Sequence, residues 1–202
     1  FGIDTTLFTP QGNGFDRKTE ITIGIIKSLE KKYGIEYLIK AFHEVLKNNS
    51  GKDLRLLVVG DGSGRNEYKK LCTDLGISDK VTFTGKVAHS EIIKYHHQID
   101  IFVSLSVLDS ESFGVSLVEA MACGKPVVAS SVAGFKEVLG NTECGILVPK
   151  NNYKEAAKAI SQYLSDPKMA TAYGMSARKR VLENYDWSKN LEQMVAIYQN
   201  LK

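Results

Sequence analysis

Two carboxylates and two lysines stand where their types and spacing suit a charged ligand. Glu119 lies within Val115-Ser116-Leu117-Val118-Glu119-Ala120-Met121-Ala122-Cys123, a run that is apolar nearly all round a helix, so the pattern predicts a buried carboxylate. Such a group only accepts hydrogen bonds, and burial costs it several kcal/mol unless donors reach it. The vicinal hydroxyls of a ribose are donors of that kind; a core lysine is the structural alternative. The helix is predicted to begin near Gly114, where free backbone N–H groups and the positive end of the dipole suit a diphosphate. From Gly114 to Glu119 it rises roughly 7–8 Å at ~1.5 Å per residue, the step from a phosphate to a ribose.

Glu111 precedes that helix, in a loop predicted to lie over the strand ends. There it can accept from sugar hydroxyls or face positive charge developing at an anomeric carbon; a carboxylate before a helix also serves as a simple charge–dipole partner. Lys27 and Lys32 follow the first predicted strand, on the same side of the sheet, and suit clamping a diphosphate and neutralising a departing one. Lys31 beside them is assigned to a solvated face.

Several other motifs fail their tests. Gly60-Asp61-Gly62-Ser63-Gly64 resembles a dinucleotide fingerprint, but Arg65 stands where the last glycine is needed and the segment follows the second strand, so it reads as a tight turn. Gly124-Lys125 is no phosphate loop, because Glu119 holds the required earlier glycine position and Pro126 follows the lysine. His43, His89, His96 and His97 lack metal-ligand spacing and are assigned to surface or packing roles. Cys72, Cys123 and Cys144 read as reduced core cysteines rather than a disulfide framework or zinc site.

The elements that must position these residues follow the βα pattern. Val- and Ile-rich runs predict strands near Ile21–Ile26, Leu54–Val59, Val81–Thr84, Ile101–Leu105, Val127–Ser130 and Ile146–Val148. Between them Leu38, Ile39, Phe42, Val45 and Leu46 share one helical face, as do Tyr68, Leu71, Cys72 and Leu75. Right-handed crossovers then give an α/β fold, a Rossmann-like open parallel sheet with helices on both faces and ligands at the carboxyl ends of the strands. After Pro149 three helices are predicted, about Tyr153 to Leu164, Pro167 to Glu183 and Trp187 to Leu201, with Asp166 as an N-cap before Pro167. Residues 1–202 read as one domain with a helical extension from about 151.

With 202 residues and 43% hydrophobic content a sizeable core is expected. Lysine plus arginine number 26 against 23 aspartate plus glutamate, so nucleic acid is not an expected partner. No run approaches the ~20 apolar residues of a membrane span. Phe1 is no initiator methionine and no signal peptide follows it, so the chain is expected to be a fragment. The last helix carries Trp187, Leu191, Met194, Val195 and Tyr198 as an apolar stripe, expected to pack partly on an absent domain.

The stretch from Glu111-Ser112-Phe113-Gly114 to Glu119, continuing Ala120-Met121-Ala122-Cys123-Gly124-Lys125-Pro126-Val127-Val128, resembles the two-glutamate signature of the family 4 retaining glycosyltransferases. Lys27 and Lys32 are similar to that family's Arg-x-x-x-x-Lys clamp, and Phe1 to Phe8 to the Asn-Gly-Val-Asp opening of its C-terminal domain. Val58-Val59-Gly60-Asp61-Gly62, Val81-Thr82-Phe83-Thr84-Gly85 and Ala133-Gly134-Phe135-Lys136-Glu137 also fit. The sequence departs from the pattern at Lys27, where arginine is common, and at Leu105, where proline often precedes Ser106. Asp109-Ser110 lengthens the loop before Glu111, and Phe135-Lys136 replaces an apolar-Pro pair.

The resemblance implies the C-terminal, donor-binding half of a GT-B enzyme that transfers a hexose-type sugar from UDP- or GDP-sugar with retention, without a metal cofactor. It implies Lys27, Lys32, Gly60, Lys86, Val87, Glu111, Ser112, Phe113, Gly114, Val115 and Glu119 as donor-binding residues, with Lys27, Lys32 and Glu111 also catalytic. Among these Glu119 would hold the ribose, the two lysines the diphosphate, Glu111 with Phe113 and Gly114 the sugar and nearby phosphate, and the backbone at Lys86 and Val87 the base. A glycan or sugar-lipid acceptor would come through a missing N-terminal domain, in a cytoplasmic protein with peripheral association at the inner membrane face. A non-catalytic nucleotide- or sugar-binding module is the alternative reading, and an NAD- or FMN-binding redox domain a more distant one.

Overall fold

The computed structural model describes residues 2–11, 20–111, 113–140 and 143–199. Six strands, β1 (Glu20–Ile26), β2 (Asp53–Val59), β3 (Val81–Phe83), β4 (Ile101–Ser104), β5 (Val127–Ser130) and β6 (Ile146–Val148), form one sheet in the order β3-β2-β1-β4-β5-β6. All pairings are parallel, and every predicted strand is present to within a residue at each end. β4 and β5 are buried throughout, as their unbroken apolar sequences require of strands covered on both faces.

The helices are α1 (Ile35–Asn48), α2 (Arg65–Asp74), α3 (Ile92–Gln98), α4 (Val115–Ala122), α5 (Ala133–Leu139), α6 (Tyr153–Ser165), α7 (Pro167–Asn184) and α8 (Trp187–Gln199). Successive strand residues point to opposite faces. Ile23, Leu56, Val103 and Val128 join one apolar cluster with α1, α2 and α6. Leu57, Phe102, Val127 and Ala129 join a second with α4, α5 and α7. Helices thus cover both faces, with a core on each side.

Strand order turns at β1. The chain winds outward through β2 and β3 on one side, then returns to place β4 against the other edge of β1. The loops after β1 and β4 therefore part at the carboxyl ends of adjacent strands and leave a crevice there.

The segment predicted as a helical extension divides in two. Tyr163 of α6 donates to Val127 O at 3.2 Å, and Gly174 of α7 lies so close to Gly124 that a Cβ would fall 2.1 Å from its carbonyl oxygen. Both helices are thus layers of the domain, and Asp166 caps α7 by accepting from Met169 N at 2.9 Å. α8 has no buried residue, and Trp187, Leu191, Met194, Val195 and Tyr198 of its apolar stripe are all exposed; Leu201, its predicted end, lies outside the described residues. Ile3 N donates to Tyr185 O and Trp187 N to Ile3 O, each at 2.9 Å, so the start of the chain is tied to the root of α8. Among the described residues no helix is long and apolar enough to cross a membrane.

Candidate functional site

The loop after β1 is held on two sides. Lys27 N donates to Val59 O at 2.9 Å and Leu29 N to Asp61 O at 3.0 Å, keying it to the loop after β2. Gly60 permits this approach: its φ is +129°, and a Cβ would lie 2.2 Å from Lys27 O. On the other side Val107 N donates to Lys32 O at 2.9 Å, fastening the loop after β4 to the short 3₁₀ turn at Lys31–Tyr33.

Those ties bring the charged side chains together. Lys27 Nζ lies 2.8 Å from Glu111 Oε2, with side chains only 16% and 10% exposed. Ser106 Oγ donates to the same carboxylate oxygen at 3.1 Å, and Ser106 O in turn accepts from Ser130 Oγ at 2.6 Å. The ammonium groups of Lys27 and Lys32 both stand over the Tyr33 ring, 4.3 and 5.0 Å from its centroid. Lys27 is paired within the crevice, whereas Lys32 reaches out from its rim.

At the head of α4, Gly114 adopts φ 70°, ψ 62°, and its carbonyl accepts from Leu117 N at 2.8 Å and Val118 N at 3.1 Å. A Cβ here would lie 2.5 Å from Phe135 Cε1, so the buried ring of Phe135 fills the space that glycine leaves. The first N–H groups of α4, at Val115 and Ser116, belong to a helix end without intrahelical acceptors. They open onto the crevice.

Glu119, one turn further on, is 4% exposed and receives a hydrogen bond on Oε2 from His96 Nε2 at 3.0 Å. The buried carboxylate expected from the sequence is present. Its protein partner is a fully buried histidine rather than a core lysine. Burial holds His96 below its ordinary value against the opposing pull of Glu119, so the contact is a hydrogen bond from a neutral imidazole.

Ile26, Lys27, His89, Ile92, Glu111, Phe113, Gly114, Val115, Ser116 and Glu119 line one cleft of about 340 Å³. A niche of about 40 Å³ beside it is lined by Lys32, Tyr33, Leu108, Ser110 and Glu111, so Glu111 borders both. The structure therefore brings Lys27, Glu111, Phe113, Gly114, Val115 and Glu119 to one surface and sets Lys32 at its edge. Gly60, Lys86 and Val87 do not line the cleft: Gly60 backs the Lys27 loop, Lys86 is exposed, and Val87 packs against the apolar cluster beneath. Ser112 lies outside the described residues.

Ile26, His89, Ile92 and, behind Glu119, His96 belong to the site although no motif marked them, and Ser116 joins them from within the two-glutamate stretch. His89 and Ile92 do follow a strand end, which is the one signal they offered. Asp109, part of the lengthened loop, accepts from Ala133 N at 3.3 Å and from Lys150 Nζ at 2.8 Å. The Lys150 ammonium holds its carboxyl below the usual range. The insertion thus pins the loop before Glu111 to α5.

Residues 11–180 match the family described as glycosyl transferases group 1. A GDP-mannose-dependent alpha-(1-6)-phosphatidylinositol monomannoside mannosyltransferase of Mycolicibacterium smegmatis is 28% identical over 198 residues, 92% of this chain and 51% of that protein. Sucrose-phosphate synthase from Thermosynechococcus elongatus superposes with a TM-score of 0.86 at 29% identity, covering 99% of this chain and 51% of that one. The C-terminal domain of a glycosyl transferase group 1 family protein from Francisella tularensis superposes at 0.80 and 25% identity, over 92% of this chain and 100% of that domain. The chain spans about half the length of the curated relatives it matches.

Proposed function

The chain belongs to the glycosyl transferases group 1 family, with the fold of the C-terminal half of a GT-B glycosyltransferase, and on that premise we propose that its cleft holds a nucleoside diphosphate sugar for glycosyl transfer. One observation carries the reading. The free N–H end of α4, the Lys27 ammonium and the carboxylates of Glu111 and Glu119 converge on a single cleft at the turning point of the sheet.

Each end of that cleft suits a different part of the donor. Glu119, acceptor-only and nearly buried, suits a ribose diol. The helix end with Lys27 and Lys32 suits the diphosphate, and stabilises it as it departs with the charge of the broken glycosidic bond. Glu111, between the cleft and the niche, suits the hydroxyls of the sugar.

The relative from Mycolicibacterium is named for its use of GDP-mannose, which favours a hexose carried on GDP, with UDP as the other carrier that the resemblance implies. Retention of configuration accords with the two-glutamate signature. Transfer to a glycan or sugar-lipid would need a further, acceptor-binding domain, in keeping with the half-length coverage of relatives. The exposed stripe of α8 suits contact with that domain. We place the activity in polysaccharide or glycolipid synthesis, in the cytoplasm or at the inner face of the membrane.

Calorimetry of this chain with UDP and GDP in the presence of chelator tests the proposal. Saturable binding of either is expected, since the lysines and the helix end supply the positive charge. Absence of heat with both at millimolar concentration contradicts it.

A further inference from the structure

His96 is unexplained by any contact with the cleft. It sits on α3 with no exposed surface, edge-on to Phe8 at 5.7 Å between ring centroids and tilted against Phe102 at 5.8 Å. A ligand in the cleft cannot touch it. Among the described residues its one polar contact is with Glu119, Nε2 to Oε2 at 3.0 Å, while Nδ1 is buried without a partner.

That asymmetry assigns the proton. A neutral imidazole carries one N–H, and placing it on Nδ1 would bury a donor with no acceptor and set the Nε2 lone pair against a carboxylate. The proton therefore belongs on Nε2, donated to Glu119. Lys125, following α4, and His97, the neighbour on α3, add positive influence that also disfavours an imidazolium. Among the described residues Oε1 of Glu119 has no hydrogen-bond partner.

Resting on the donor-site reading of the cleft, we propose that His96 is the positioning residue of Glu119: it occupies Oε2, fixes the rotation of the carboxylate and leaves Oε1 for a ribose diol. A carboxylate already held in one rotamer loses little freedom when the ligand arrives. The imidazole N–H also satisfies an acceptor that burial would otherwise leave unpaired. The site is thereby set to select ribonucleotides over their 2′-deoxy counterparts.

The test compares His96→Gln, His96→Asn and His96→Leu in calorimetry with UDP, GDP, uridine, guanosine and the 2′-deoxy forms. Glutamine places an amide nitrogen near the position of Nε2 and should bind within about twofold of the wild type. Asparagine reaches only the Nδ1 position and leucine has no donor; both should weaken nucleoside and diphosphate alike by about tenfold, the loss of one hydrogen bond to a charged group. Both should also narrow the preference for ribose over deoxyribose.

Folded asparagine and leucine variants with wild-type affinity and preference overturn the inference. If Glu119→Gln weakens binding while the His96 variants do not, the donor site stands and the role of His96 falls. If the wild type binds no nucleotide, both fall. Should the variants not fold, nitrogen chemical shifts of wild-type His96 decide: an Nε2–H tautomer at neutral pH is required, and an Nδ1–H tautomer or a cation contradicts the role.

Discussion

Lys27 Nζ and Glu111 Oε2 meet at 2.8 Å across the crevice between the loops after β1 and β4, so the cation proposed to hold a diphosphate is already engaged by a carboxylate. An incoming phosphate must compete with Glu111 for Lys27. Glu111→Gln keeps the shape and removes the competing charge, so affinity for free UDP or GDP is expected to rise by roughly threefold to tenfold, a part of what a charge-assisted hydrogen bond contributes. Under the proposed function, sugar transfer should fall at the same time. Calorimetry and turnover on the same variant check the two directions; weaker diphosphate binding would contradict the competition.

Gly114 is constrained twice, by its φ of 70° and by the Phe135 ring, which would stand 2.5 Å from a Cβ at this position. Gly114→Ala is expected to lower stability by about 1–3 kcal/mol through backbone strain and the clash together. It should also shift the first turn of α4 and weaken diphosphate binding more than nucleoside binding. Thermal unfolding and paired titrations measure both, and an unchanged melting temperature would refute the packing account.

Much of this was legible from the chain. Val- and Ile-rich runs at regular spacing marked all six strands because both faces of a parallel sheet are covered, which leaves little room for polar residues. The isolated Glu119 in an apolar helix foretold its burial, and Gly114 and Glu119 of the same helix both line the cleft. Partners distant in sequence were not legible. Nothing near His96 marks it as the donor to Glu119, because α3 and α4 meet only after β4 has crossed to β1. The resemblance implied the backbone at Lys86 and Val87 for the base, and the residues of that loop that line the cleft are His89 and Ile92, where the chain turns back into α3.

The buried imidazole makes stability depend on pH. His96 has a folded value below its ordinary 6.5, burial being the largest cause, so the unfolded chain binds a proton more readily than the folded one. Its contribution is intact above about pH 6.5 and is lost as the pH falls from there through the folded value. Denaturation followed between pH 7.5 and 5 should show stability declining with acid, and His96→Gln should remove that part of the slope. An identical slope in both proteins would show that other groups cause it.

The contrast between Lys32→Ala and Glu119→Gln tests the proposed donor site most directly, because Glu119 lines the cleft and Lys32 the niche beside it. Lys32→Ala is expected to weaken UDP or GDP by about 1.5–3 kcal/mol, the range of a hydrogen bond to a charged group, and to leave uridine or guanosine nearly unchanged. Glu119→Gln should weaken nucleoside and diphosphate by similar amounts, since both carry the ribose. Loss of nucleoside binding in Lys32→Ala equal to its loss of diphosphate binding, or unaltered binding of both ligands by a folded Glu119→Gln protein, would contradict the assignment of phosphate and ribose to these residues.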